Sequence, residues 1–312
     1  MKFYVLTLFP DLVRTICETS IIGRAQKNGS VEVIPVDIRD YAVRPNGRVD
    51  DYPYGGGAGL ILQAEPVYAA WEAASRMAGR NTRVLYMTPQ GTPFTQKMAS
   101  AYAREENLIF LCGHYEGIDE RVTDRIVTDE VSAGDFVVTG GELPACMMID
   151  CITRLVPGAL HNDQSAEEES FTDGLLEYPQ YTRPPVFMGE AVPEVLLSGD
   201  HGKVDAWRRN QSVVRTAMKR PDLLRTASLT KEERRIADMV LRSGRTRPAA
   251  ESRNAEQCGT AAGGDSSPQA PAAAKAPGAA GSPPAGQVPA SGQPGAFARD
   301  PDDSRKPGPG ET

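Results

Sequence analysis

The chain has 312 residues, of which 40% are hydrophobic and 24% charged, and its formal net charge is −7 at pH 7. A chain of this length can bury one large core or two smaller ones. It has no apolar stretch of the roughly 20 residues that a transmembrane helix needs. Its five cysteines include no Cys-x-x-Cys pair, which argues against a zinc site and indicates a reduced, cytoplasmic protein.

The first half of the chain alternates apolar runs suited to strands with stretches of helical periodicity. Strands are predicted at Phe3–Leu8, Val31–Val36, Val84–Met87, Leu108–Cys112 and Phe136–Val138. Helices are predicted at Asp11–Lys27, Glu65–Ala78, Gln96–Glu105 and Pro144–Leu155. This alternation predicts an α/β fold with helices on the faces of a sheet. The run from Phe3, broken at Phe9-Pro10, is predicted to be the first strand and not a signal peptide.

The second half changes character at residue 161. Residues 161–175 are polar, acidic and aperiodic, and they are predicted to be an interdomain linker. Helices follow at Val204–Arg220 and Lys231–Leu241 within a small domain, residues 176–247, and Trp207, Val214 and Met218 are predicted to lie on a buried helical face.

The charge is distributed unevenly along the chain. Between His201 and Arg247 thirteen Lys or Arg stand against five Asp or Glu, a net charge of +8. A basic module on an acidic chain fits contacts with nucleic-acid phosphates. Residues 248–312 are mostly Ala, Pro, Gly and Ser, and a segment of this composition is predicted to be disordered because it cannot bury enough apolar surface to fold.

Three short glycine-bearing segments carry the strongest functional signal. They are Tyr54–Gly59, Cys112–Arg121 and Thr139–Ala145. The last two follow predicted strands and switch at once to glycine and carboxylate. Glycine allows close approach of the backbone to a ligand, and open α/β sheets bind ligands beyond the carboxyl ends of their strands. Neither segment has dinucleotide-binding or P-loop spacing.

Together with several other segments, these motifs resemble the bacterial tRNA (guanine-N1)-methyltransferase family. The other segments are Leu8-Phe9-Pro10, Gly23-Arg24-Ala25, Val49 to Gly57, and Tyr181 to Pro184, and the match continues to Arg208. Their order and spacing agree over roughly three-quarters of the chain. The resemblance implies methylation of N1 of the guanosine immediately 3′ of the anticodon in tRNA, position 37, with S-adenosylmethionine as methyl donor.

The resemblance also implies an architecture. Residues 1–160 would form an S-adenosylmethionine-binding domain of the SPOUT type, a parallel sheet with a deep trefoil knot built from about Val84 to Leu155. Residues 176–247 would form a small helical tRNA-binding domain. Family members are homodimers, and their active site joins the sheet domain of one subunit to the C-terminal domain of the other.

The resemblance assigns the cofactor to three loops, Thr88–Gly91, Gly113–Glu116 and Ser132–Gly141, the last extended to Pro144. The candidate cofactor-binding residues are Pro89, Gly113, Tyr115, Glu116, Ser132, Ala133, Gly134, Asp135, Phe136, Val137, Val138, Gly140, Gly141 and Pro144. Glu116 has two alternative roles, binding ribose or helping to hold a magnesium ion that the family uses. Gly91 is interpreted as a turn glycine, and His114 as a hydrogen-bonded loop residue because metal-ligand partners are missing nearby.

Methyl transfer to guanine N1 requires removal of the N1 proton and relief of charge that develops on the O6 side. The family's arginine at the end of the helix after Gly-Gly-Glu-Leu-Pro corresponds to Arg154, and its aspartate before Ser-Phe corresponds to Glu169. Taken alone, each would be a surface charge. Asp173 is the alternative base. The residues that match segments near the RNA are Arg24, Asp50, Tyr54 and Arg208.

Two other functions fit part of the pattern. A knotted methyltransferase that acts on ribosomal RNA or on a ribose hydroxyl would not need the Glu169 and Arg154 pair. An inactive RNA-binding homologue is the other alternative, because glutamate stands at position 169 where the family commonly has aspartate. A nicotinamide-dependent oxidoreductase is excluded, because Leu8-Phe9-Pro10-Asp11 carries no phosphate-binding fingerprint after the first strand.

Truncation after Arg247 is expected to leave methyl transfer unchanged. The removed segment has too few apolar residues to form a core, and the resemblance to the family ends before it. The specific activity of the truncated and full-length chains on one tRNA transcript tests this expectation. A severalfold loss on truncation would show that the tail contributes to RNA capture or assembly.

Overall fold

A computed structural model of the protein describes residues 1–160 and 169–244. Most of the predicted linker, residues 161–168, and the predicted tail, residues 248–312, lie outside the described residues. Within the described part, none of the helices is both long enough and apolar enough to cross a bilayer.

A parallel sheet of five strands organises the first 160 residues. Its strands are β1 (Lys2–Thr7), β2 (Glu32–Asp37), β5 (Arg83–Pro93), β6 (Asn107–Cys112) and β7 (Asp129–Ser132). Their spatial order is β2-β1-β6-β5-β7. Two short strands, β3 (Asp50–Asp51) and β4 (Ile61–Leu62), pair antiparallel beside it. The predicted α/β fold is therefore confirmed.

Helices cover both faces of this sheet, as the continuous apolar strands require. They are α1 (Pro10–Cys17), α2 (Ser20–Lys27), α3 (Ala64–Ala78), α4 (Gln96–Tyr102), α5 (Glu120–Ile126) and α6 (Glu142–Thr153). On β1, Phe3 and Val5 belong to one buried cluster and Tyr4 and Leu6 to another. This alternation places one core on each side of the sheet.

The single helix predicted over Asp11–Lys27 is wrong, because the chain breaks between α1 and α2. Thr19 is extended, with φ −104° and ψ 163°. The two helices then pass so closely that a Cβ at Gly23 would lie 2.1 Å from the carbonyl oxygen of Glu18. Gly23 is required there by this close approach and not by a turn.

The strand predicted at Phe136–Val138 is also wrong. The strand at this point is β7, which ends at Ser132 and pairs with β5 along the edge of the sheet. Phe136, Val137 and Val138 follow it in a loop and are 58%, 85% and 42% exposed. An apolar run of three residues indicates that the side chains avoid water, but it does not indicate whether a protein core or a ligand covers them.

The C-terminal described residues are mainly helical and share a small buried apolar cluster that includes Leu175, Val213 and Ala237. They form a small hairpin, β8 (Val186–Phe187) and β9 (Glu190–Ala191), and three helices, α7 (Glu194–Leu197), α8 (His201–Lys219) and α9 (Lys231–Gly244). The buried residues of α8 are Ser212, Val213, Thr216 and Ala217. The predicted face is therefore wrong, since Met218 is 67% exposed and Trp207 and Val214 are half-buried.

Candidate active site

Three segments meet at the carboxyl edge of the sheet. Two are loops that follow β6 and β7, whereas Thr88–Gly91, predicted to be a loop, lies within β5 where its pairing with β7 is irregular. They enclose a cavity of about 340 Å³, within the size range of small-molecule sites. Of the fourteen predicted cofactor-binding residues, all except Asp135 line this cavity. The structure therefore brings the Thr88, Gly113 and Gly140 segments together, as the positions of their strand ends require.

The loop after β6 is shaped by unusual backbone conformations. Tyr115 lies in the left-handed region with φ 60° and is 46% exposed, an arrangement that is uncommon for an aromatic residue and is often found at functional sites. The loop docks at the end of the first glycine segment, because the Glu116 N–H donates to the carbonyl of Leu60, which follows Gly59, at 3.0 Å. A Cβ at Gly59 would lie 2.4 Å from Glu116, so this glycine leaves room for the glutamate.

The floor of the cavity is the junction between β6 and the start of α6. The Gly141 N–H donates to the carbonyl of Gly113 at 2.9 Å. A Cβ at Gly141 would lie 2.8 Å from the Cα of Cys112, well inside ordinary van der Waals contact. Gly141 therefore allows the helix to begin directly against the end of the strand. Glu142 faces inward, is 3% exposed, and accepts a hydrogen bond from Thr7 at 2.8 Å.

The opposite wall is apolar and uncovered. Phe136, Val137 and Val138 line the cavity while remaining exposed. Exposed apolar side chains around a concave site are available to bury a planar ligand. The turn that aims them begins at Gly134, whose φ is 148°, a conformation that a side chain rarely adopts.

Sequence reasoning missed part of the lining. Tyr86, Met87 and Val131 belong to strands β5 and β7 but also line the cavity. The Tyr86 ring lies beneath Gly113, where a Cβ would approach it to 3.3 Å, and burial raises the pKa of the Tyr86 hydroxyl. The sequence signal that could have identified Tyr86 was an amphipathic aromatic residue near the end of a predicted strand.

Two interpretations of individual residues need correction. Gly91 is not a turn residue: it lies within β5, and a Cβ there would lie 2.4 Å from the backbone of Glu130 and Val131. His114 packs against Phe9 and Tyr115, with ring centroids 5.0 and 4.7 Å apart. Its carbonyl accepts a hydrogen bond from the Gly117 N–H at 3.1 Å, as predicted for a loop residue, but its Nδ1 is buried and has no hydrogen-bond partner among the described residues.

Arg154 and Glu169 meet directly. Arg154 caps the C-terminal end of α6, and its Nη2 donates to the Glu169 carboxylate. The two side chains are 30% and 32% exposed, so they are partly shielded from solvent but still accessible. Neither residue lines the cavity between the three loops.

Glu169 faces a second, smaller cavity of about 220 Å³. Arg208 lines the same cavity and stacks over the Tyr178 ring at 4.9 Å. The Nε of Arg208 is buried without a hydrogen-bond partner in the described part of the chain. Asp173 also lines this cavity, but its carboxylate is already bound by Arg209.

The other residues predicted to contact RNA differ in accessibility. Tyr54 is fully exposed, and Arg24 is exposed in the last turn of α2. Asp50 is only 8% exposed and accepts a hydrogen bond from the Arg48 side chain at 3.1 Å. Asp50 thus has a structural partner, whereas Tyr54 and Arg24 are open to a ligand.

Comparison with known proteins gives a consistent result. The family model described as tRNA (Guanine-1)-methyltransferase TrmD matches residues 1–226. A Lachnospira eligens protein is 58% identical over 223 residues, which cover 72% of this chain and 94% of the relative. A Staphylococcus aureus protein is 50% identical over 238 residues, covering 76% and 96%. Both relatives are named tRNA (guanine-N(1)-)-methyltransferase.

A third relative, from Lachnoclostridium phytofermentans, carries the same name and is 49% identical over 266 residues, which cover 77% of this chain and 97% of the relative. The order of motifs, the parallel sheet and these matches agree with one another. The chain belongs to the tRNA (guanine-1)-methyltransferase TrmD family.

Proposed function

We propose that this protein transfers the methyl group of S-adenosylmethionine to N1 of the guanosine 3′ of the anticodon, position 37, in tRNA. The observation that carries the proposal is the direct contact between Arg154 and Glu169, in a chain whose relatives are named tRNA (guanine-N(1)-)-methyltransferases. Guanine presents its N1–H donor beside its O6 acceptor. A carboxylate held next to a guanidinium is complementary to that edge.

The three-loop cavity fits the methyl donor. Phe136, Val137 and Tyr115 offer apolar surface for an adenine ring, and the glycines at the floor place no side chain in the cavity. Bound S-adenosylmethionine supplies a methyl group that its positive sulfur already activates. The protein contributes alignment, because holding two reactants in a reactive geometry removes much of the entropic barrier.

Glu169 accepts the N1 proton, and Arg154 stabilises the negative charge that develops toward O6. Glutamate belongs to the same acid class as the family's aspartate but is one methylene longer. The contact with Arg154 fixes the position of that longer side chain. No group of three or more His, Cys, Asp or Glu side chains in residues 1–160 and 169–244 is arranged to hold a metal ion.

The active site is proposed to form between two copies of the chain. Glu169 and Arg154 do not line the three-loop cavity of their own chain, so proton removal and methyl donation lie in different places within one subunit. A homodimer in which one copy provides the cavity and the other provides Glu169 brings the two functions together, and two-fold dimers are the commonest oligomers.

Substrate tRNA is proposed to present an unstacked guanine, because pairing in a duplex hides N1. Arg24, Tyr54 and Arg208 are candidates for its contacts, and the basic segment from His201 to Arg247 supplies charge for phosphates. Asp50 is a further candidate, and its carboxylate already accepts a hydrogen bond from Arg48.

A trefoil knot is proposed for the sheet domain. The chain leaves β7 on the outer side of β5 and then returns to β6, where Gly141 bonds to Gly113. This path supports threading of the segment from Val84 to Leu155.

A cytoplasmic location is proposed because the four described cysteines are free thiols, typical of a reducing compartment.

Methylation of a tRNA transcript, followed by nucleoside mass spectrometry, tests the proposed reaction. We expect N1-methylguanosine at position 37 and no product when that guanosine is replaced by adenosine. A 2′-O-methylated nucleoside, or methylation of ribosomal RNA alone, would instead identify another knotted RNA methyltransferase. Absence of any product with a folded, cofactor-binding protein would favour the inactive RNA-binding homologue.

S-adenosylmethionine is expected to bind without RNA, because the lining of the three-loop cavity comes entirely from the segment between Tyr86 and Pro144 of the sheet domain. Calorimetric titration of the folded protein measures this directly. No heat of binding at millimolar cofactor would contradict the assignment of the Gly113 and Gly140 loops.

A further inference from the structure

The segment that carries Glu169 forms a compact turn. We call residues 169–177 the base turn. The Phe171 N–H donates to the carbonyl of Leu175 at 2.8 Å, and the Glu177 N–H donates to Ser170 Oγ at 3.0 Å. Phe171 lies in the left-handed region with φ 77°, which costs free energy for an aromatic residue and persists only where surrounding contacts enforce it.

Contacts within the turn and with the C-terminal helices hold Phe171 in this conformation. Asp173 Oδ1 accepts from the Leu175 N–H at 3.1 Å, while Oδ2 of the same carboxylate binds Arg209 on α8. The Leu176 N–H donates to Thr216 Oγ1 at 2.8 Å. Gly174, with φ 82°, leaves room for the Cα of Ala227, which a Cβ would approach to 3.2 Å.

Arg209 is anchored at its other end to the start of α9. Its Nε donates to Glu233 at 2.6 Å, and its Nη2 donates to the Ser228 carbonyl at 3.2 Å. Glu233 also accepts from the Thr230 N–H at 2.7 Å, and Thr230 Oγ1 accepts from the Glu233 N–H at 3.2 Å. This reciprocal capping box makes the start of α9 a fixed support.

We propose that Arg209 is a positioning residue for Glu169: it fixes the base turn to α8 and α9 through Asp173. This inference rests on the proposed role of Glu169 as the base. A chain of ion pairs then runs from Glu233 through Arg209 and Asp173 to the base turn, and from Glu169 to Arg154 at the end of α6. The planar guanidinium suits this task because it binds two carboxylates at once.

The environment of the ion pair between Arg209 and Glu233 favours a persistent contact. The Glu233 side chain is only 12% exposed. The hydrogen bond from Arg209 lowers the pKa of the Glu233 carboxyl, while the same bond raises the pKa of Arg209. Both groups are therefore charged at neutral pH, and partial burial reduces the screening of their attraction by salt.

A double-mutant cycle with Glu169 tests the proposal. In single turnovers at saturating tRNA and cofactor, Arg209→Met is expected to lose about tenfold in rate, since small displacements of a catalytic group are costly. In the Glu169→Gln background, Arg209→Met should cause no further loss. Equal losses in both backgrounds, or no loss in either, would overturn the positioning role.

Arg83→Met is the matched control, because Arg83 also bridges two carboxylates, Glu105 at 3.0 Å and Asp129 at 3.1 Å, outside the base turn. It should leave the rate unchanged. Hydrogen exchange gives a readout independent of activity: Arg209→Met should increase exchange of the Phe171 and Leu176 amides, and Arg83→Met should not. Unchanged protection would contradict the proposal. An inactive wild-type enzyme would count against the proposed function instead, and the exchange result would still stand.

Discussion

Glu169→Gln is expected to slow the methyl-transfer step by about 10²-fold or more, the scale typical of losing a general base. The amide keeps the shape of the side chain and can still contact Arg154 but cannot accept the N1 proton. Affinity for S-adenosylmethionine should be nearly unchanged, because Glu169 is proposed to act on guanine N1 and does not line the three-loop cavity of its own chain. Single-turnover methylation at saturating tRNA measures this step separately from product release.

Three further variants make the result specific. Glu169→Asp should retain activity, since it restores the residue usual in the family. Glu105→Gln, which removes a similar contact with Arg83 far from the site, should have no effect. Asp173→Asn should lose less than Glu169→Gln, because Asp173 already binds Arg209. A deeper loss at Asp173, or near-normal turnover by Glu169→Gln, would assign proton removal to another carboxylate.

Gly141→Val is expected to abolish measurable binding of S-adenosylmethionine. Even the first atom of a side chain at this position would lie 2.8 Å from Cys112 Cα and 3.1 Å from the Gly113 nitrogen. Those are backbone atoms at the end of β6, so α6 must move away from the cavity floor. Overpacking of this kind costs about 1–3 kcal/mol of stability, and the fold should survive. Calorimetry measures binding, and thermal unfolding monitors the fold.

Gly141→Ala should give a smaller loss of the same kind. The control is Gly202→Val in α8, where an added Cβ would meet only the Asp200 side chain at an ordinary 3.6 Å. This control should bind the cofactor normally. Normal binding by Gly141→Val would contradict the assignment of the cavity floor to the cofactor site.

The sequence alone predicted the elements whose signal is local. Strands β1, β2 and β6 were identified from short apolar runs, and α3 from its periodicity. The glycine segments after β6 and before α6 were placed at a ligand site because glycine directly after a buried strand lets the backbone approach a ligand closely. The resemblance to a family followed from the order of these segments, which is also a property of the sequence.

Local sequence patterns were insufficient where the burial of a residue depends on which elements pack against it. Phe136–Val138 were predicted to form a buried strand, yet they wall a cavity, because apolar character does not distinguish a core from a ligand. The buried face of α8 includes Val213 and Ala217 and differs from the prediction. Helical period gives the spacing of a buried stripe, while the neighbours select which of two adjacent stripes is covered.

The sequence thus determined the fold class, and through the resemblance it predicted the cofactor loops and the residues of the proposed chemistry. Only the tertiary structure decided which charges meet. Arg209 and Asp173 are 36 residues apart, and Arg154 and Glu169 are 15 apart. Each pair forms because packed helices and a strained turn hold the two side chains together. Such contacts are set by long-range packing, which no local period or spacing records.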